Sequence, residues 1–123
     1  MKLEQEVKEF MDNKNKSMIT ATAYQEQAKT TAIFPPERAL EYLTLGLVGE
    51  AGEVANKIKK VIRDKKIFRS EVEIASEIGD VLWYCAMLAD YLDTNLGKIM
   101  EDNIDKLQSR KSRGTLGGSG DQR

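Results

Sequence analysis

Leu45-Gly46-Leu47-Val48-Gly49-Glu50-Ala51-Gly52-Glu53-Val54 decides how this chain folds. Its apolar residues recur in steps of three and four, the spacing of one helical face, and the seam extends outward as Leu40, Leu43, Leu47, Ala51, Val54, Ile58 and Val61. One position earlier runs a second stripe of Gly46, Glu50, Glu53, Lys57 and Lys60. The pattern predicts a helix over about 36–64, primed by Pro35-Pro36 because proline suits a first turn and is excluded from a helix interior. Gly46, Gly49 and Gly52 each cost that helix roughly 0.5–1 kcal/mol relative to alanine, so a close backbone approach is expected there.

The same pattern returns downstream. Ser70-Glu71-Val72-Glu73 reads as a capping box opening a helix to about residue 93. Its seam is Ile74, Ile78, Val81, Cys85, Leu88 and Leu92, and its second stripe is Glu73, Glu77, Asp80, Tyr84, Met87 and Tyr91. A short connection at 65–69 makes the two helices antiparallel neighbours, which sets Glu50-Ala51-Gly52-Glu53 against Glu77-Ile78-Gly79-Asp80 in equivalent positions. Residues 81–89 are almost wholly apolar. A helix apolar all round is buried all round, and in so short a chain that implies a subunit interface and a homo-oligomer.

Two further helices are expected, over about 19–32 and from residue 94 or 95 to about 113. The last carries Leu96, Met100 and Leu107 on one face and Asn103, Lys106 and Arg110 on another, with Gly114 at its stop. Residues 1–17 read as an N-terminal arm or weak helix, 18–113 as one helical domain, and 114–123 as a flexible glycine-rich tail. The fold class is all-α, of four-helix-bundle type.

Composition narrows the function. With 19 basic and 20 acidic residues the net charge is -1, which argues against a sequence-independent grip on DNA or RNA. No apolar run reaches the length of a membrane span, and the N-terminus lacks a signal-peptide core. The lone Cys85 reads as a plain buried thiol and fits a reducing cytoplasm.

The acids point to a metal. A single acidic pair at i and i+3 reads as a solvated face, but two matched pairs flanked by glycine and by apolar seams are more specific. Glu50, Glu53, Glu77 and Asp80 converging between two helices would repel one another unless a cation neutralised them. The chain has no histidine and one cysteine, so Mg²⁺ or its substitute Mn²⁺ fits better than zinc or copper. A di-iron carboxylate bundle needs Glu-x-x-His pairs and falls away.

The stretch 45–54, followed by Glu77-Ile78-Gly79-Asp80-Val81-Leu82-Trp83-Tyr84, resembles the MazG-like all-α nucleoside triphosphate pyrophosphohydrolases. Their pattern is E-E-x-x-E, a spacer, then E-x-x-D; here Gly49 replaces the leading acid, a departure shared by the small single-domain branch. The resemblance covers about residues 20–113. It implies Mg²⁺ bound by the four acids and hydrolysis of a (d)NTP to a monophosphate and pyrophosphate, in nucleotide-pool control or house-cleaning. A triphosphate carries about four negative charges, so cations must bridge it to a carboxylate cluster. Glu53 is assigned as the base that activates water. Lys57 and Lys60, further along its stripe, suit phosphate charge, although a solvated basic face explains them equally.

By the same resemblance Tyr84, one turn after Asp80, stacks on the base, and Asn103 and Lys106 contact the nucleotide. Arg110 adds charge on that last helix, and Phe34 either walls the base pocket or packs. Trp83 and Tyr91 read as packing residues. Relatives are dimers or tetramers, so a dimer-based assembly is expected, with the tail ordering over bound nucleotide. Two rivals stand beside this reading: a non-catalytic helical interaction module, and a phosphoribosyl-ATP pyrophosphohydrolase.

Overall fold

A computed structural model of the chain describes residues 2–14, 16–65 and 70–123. Every regular element among them is helical: α1 (Lys2–Lys14), α2 (Ala21–Lys29), a 3₁₀ turn (Pro36–Arg38), α3 (Ala39–Asp64), α4 (Ser70–Tyr91) and α5 (Leu96–Ser112). The connection at 66–69 and the Ser70 side chain, on which the expected capping box rests, lie outside what is described.

Local chemistry sets the ends. Thr20 caps α2 by accepting from the Ala23 N–H, and α2 is shorter than expected because the Thr30 and Thr31 hydroxyls donate back to the carbonyls of Gln27 and Ala28. The helix expected from Pro36 begins as a 3₁₀ turn and becomes α-helical at Ala39. Lys65, at φ 53, takes the left-handed conformation that ends α3, and its N–H returns to Val61 O. Asn95 caps α5 through its side chain, which accepts from the Lys98 N–H.

α3 and α4 pack antiparallel along most of their length, α2 lies across α4, and α5 rests on α2 and α4. Among the described residues α5 makes no contact with α3, and α1 packs on no other element. The core is small: Ala28, Leu43, Ala86, Met87 and Leu96, with Leu43 at 0% exposure. Gln25, also buried, joins α2 to the turn between α4 and α5, donating to Thr94 O at 3.1 Å and accepting from the Leu96 N–H at 2.6 Å.

The apolar seams are covered only in part, with Leu43 of the α3 seam fully buried. The two polar stripes face each other: Gly46 lies against the Tyr84 ring, Glu50 meets Glu77 and Asp80, and Lys57 meets Glu73. Met87, on the stripe, is core, whereas Ile78 and Leu92 on the expected seam of α4 and Leu40 and Ile58 on that of α3 are exposed. Spacing marks the seam but not how much of its length a neighbouring helix covers. The close approach expected at three glycines occurs at Gly46 alone; Gly49 and Gly52 face open space.

Candidate metal and nucleotide site

Glu50 on α3 and Glu77 and Asp80 on α4 form the chemical centre. Each offers an oxygen, and these oxygens all lie within 4.8 Å of one another. Glu50 and Glu77 are half-buried and Asp80 is exposed, so the cluster opens outward. Partial desolvation, then a hydrogen bond with Glu77 and the charges of Asp80, Glu77 and Glu53, push the Glu50 carboxyl above the ordinary carboxylate range. Three acids in this arrangement either share a proton or take a cation. Hard oxygen donors at this spacing fit a magnesium-class ion.

Glu53 lies one turn beyond Glu50 on the same stripe. It is close enough to raise Glu50's affinity for a proton, but it is exposed and stands outside the group of three. Lys57, one turn further, pairs across the helices with Glu73 at 3.6 Å, and Lys60 is exposed.

Beside the acids is a cleft of about 310 Å³ lined by Thr31, Glu50, Asp80, Trp83 and Tyr84. Its two aromatic lining residues belong to a longer chain of ring contacts. Phe34 stacks on Tyr42 at 5.4 Å, the Trp83 ring stands edge-on to Phe34 at 6.5 Å, and Tyr84 is edge-on to Trp83 at 5.0 Å. Tyr84 owes its place to Gly46, since a Cβ there would lie 2.1 Å from the ring. Burial, then the neighbouring Tyr42 and Glu50, raise the Tyr84 hydroxyl's pKa, so it stays a neutral donor. The Tyr24 hydroxyl donates to Gly79 O at 3.4 Å, and burial and the charge of Asp80 likewise raise its pKa.

The structure thus brings together Glu50, Glu77, Asp80 and Tyr84, with Glu53 adjacent, while Phe34 does not line the cleft and packs on Tyr42 and Trp83. None of Asn103, Lys106 and Arg110 lines this cleft, and α5 makes no contact with α3. Arg110 is instead buried beneath the tail. Trp83, assigned above to packing, lines the cleft. Its position three residues after Asp80 carried that signal. Thr31, which accepts from Trp83 Nε1 at 2.8 Å, comes from the end of α2 and had no signal in the sequence. Tyr91 is half exposed within the chain.

Comparison with known proteins agrees with this geometry. The family model of the MazG nucleotide pyrophosphohydrolase domain matches residues 38–114, and the chain belongs to that family. The matched segment holds every acid of the cluster together with α5. The chain is also 48% identical over 109 residues to the gene 37 protein of Mycobacterium phage L5, an alignment covering 81% of this chain and 96% of that protein. No solved structure matches. No described helix is long and apolar enough to cross a membrane.

Proposed function

We propose that the protein hydrolyses a (d)NTP to the monophosphate and pyrophosphate, with a divalent cation, Mg²⁺ before Mn²⁺, held by Glu50, Glu77 and Asp80. The observation that carries this is the convergence of the three carboxylates within 4.8 Å at the edge of an aromatic-walled cleft. A bound ion would neutralise the carboxylates and the phosphate charge and polarise the α-phosphorus. In this reading Glu53, exposed and outside the group of three, takes the proton of the attacking water or completes the ligand set. Tyr84 and Trp83 offer ring edges and faces to a base, a contact open to every base because each has a π face. A nucleotide-pool or house-cleaning role follows from such open recognition.

The test is product analysis over a panel of canonical and modified (d)NTPs. Monophosphate and pyrophosphate are the expected products, with EDTA abolishing turnover and Mg²⁺ or Mn²⁺ restoring it. Diphosphate and orthophosphate would place attack on the γ-phosphorus and refute the reading.

Assembly belongs to the same proposal. Leu45 is 73% exposed and Val48 66%, on α3 beside the bare Gly49 and Gly52, while Ile78 and Leu82 on α4 are also uncovered. A second uncovered face lies on α5, where a shallow groove of about 470 Å³ is lined by Gly97, Met100, Glu101, Ile104 and Asp105. Large apolar residues left uncovered on several helices favour an interface. A second copy of the chain covers them in our reading, and its α5 supplies the Asn103 and Lys106 that the chain's own α5 does not bring to the cleft. Light scattering at micromolar concentration should give a dimer or tetramer mass. A monomer mass would rule this out.

A further inference from the structure

Trp83 is the only tryptophan of the chain, and its indole lines the cleft beside the carboxylates. It meets Phe34 edge-on at an interplanar angle of 86° and Tyr84 at 81°. Both contacts depend on the orientation of one ring, so a turn of the indole about its side-chain bonds would break them together. The ring is half-buried and one side of it faces the cleft, so packing holds it from the other side only.

A polar tie completes the hold. Trp83 Nε1 donates to the Thr31 hydroxyl oxygen at 2.8 Å. That hydroxyl is itself anchored, because it donates to Ala28 O at 2.7 Å. Ala28 belongs to the core, so two hydrogen bonds in series run from the indole to the buried face of α2. A hydroxyl has one proton to give, and Thr31 spends it on α2 while a lone pair receives the indole. The effect is chemical as well as mechanical. Nε1–H is the sole donor of an indole ring, and Thr31 occupies it. Trp83 is left to offer a ligand its π face and its C–H edge, and no hydrogen bond.

We infer that Thr31 is a positioning residue of the nucleotide cleft: its hydroxyl fixes the orientation of the Trp83 indole and withholds the indole N–H from the ligand, so that a nucleobase meets a preset aromatic surface. The inference rests on the nucleotide reading of the cleft and adds to it a residue that lies ahead of the segment matched by the family model. Thr31 acts through Trp83. A freed indole must be ordered again each time a nucleotide binds, and that cost falls on binding. The carboxylates are not held by Thr31, so the chemical step is spared.

Kinetics of Thr31→Val, which keeps the shape of the side chain and loses its hydroxyl, test this with the canonical NTPs and dNTPs as probes in Mg²⁺. KM should rise about five- to tenfold with kcat within about twofold, and Thr31→Ser should restore KM. In the free protein the emission of Trp83, unmixed with that of any other tryptophan, should be quenched by acrylamide more strongly in Thr31→Val than in the wild type or Thr31→Ser. In a Trp83→Phe background, which has no indole N–H, Thr31→Val should add no further rise in KM. A wild type that turns over none of these nucleotides removes the nucleotide reading and this inference with it. Turnover by the wild type, with KM and quenching both unchanged in a folded Thr31→Val, overturns this inference alone. So does a rise in KM as large in the Trp83→Phe background as in the wild type, which would make Thr31 a terminator of α2 with no part in the cleft.

Discussion

Glu50→Gln, Glu77→Gln and Asp80→Asn should each lower turnover by roughly 10³-fold, the scale of several kcal/mol of transition-state stabilisation. The fold should survive, because the three carboxylates oppose one another in the metal-free chain and removing one charge relieves that opposition. Glu50 also makes the sign testable against pH. Its carboxyl binds a proton more tightly in the folded chain than in the unfolded one, since its folded pKa is raised. Without metal, its contribution to stability therefore grows as the pH falls through that raised value, and is least favourable above it, where Glu50 is ionised. Thermal melts in EDTA should show this rise in the wild type and a smaller one in Glu50→Gln. Near-normal turnover by all three variants at saturating Mg²⁺ would end the metal assignment.

Gly46→Ala is the second change expected to matter most, although it adds one carbon and no charge. That carbon would lie 2.1, 2.3 and 2.7 Å from Cε1, Cζ and Cδ1 of Tyr84. The ring has little room to retreat, with Trp83 packed edge-on against it. Overpacking of this kind costs about 1–3 kcal/mol, and the displaced ring would no longer line the cleft as it does now. A lowered melting temperature and a raised KM are expected together. Adding Tyr84→Ala should restore much of the melting temperature but not the KM. Melting and kinetics both unchanged in Gly46→Ala would mean that Tyr84 has space and no fixed place at the site.

Much of this was legible in the sequence because helices announce themselves through spacing and through the residues that start and stop them. The positions of Glu50, Glu77 and Asp80 followed from two matched patterns. The facing of the stripes followed as well, but spacing could not give how much of each seam would be covered. A helix with an apolar row beside a charged row is ordinarily expected to bury the apolar one. Here the charged row of α3 faces that of α4, and Leu40, Ile58, Ile78 and Leu92 are left outside. Contacts between distant positions were equally silent. Nothing in the sequence tied Lys57 to Glu73, Thr31 to Trp83, or Arg110 to a carbonyl eleven residues later. Main-chain carbonyls are the same at every residue, so a side chain that seeks one leaves no trace in composition or period.

Gln25 has a mechanical consequence. Its amide grips both sides of the turn that launches α5. The 17-residue helix beyond extends about 25 Å at 1.5 Å per residue, with no hold on α3. Gln25 is therefore the pivot of a lever. A tilt of about 10° there carries the far end of α5 through about 4 Å, enough to move Arg110 by more than a hydrogen bond's length while the core barely shifts.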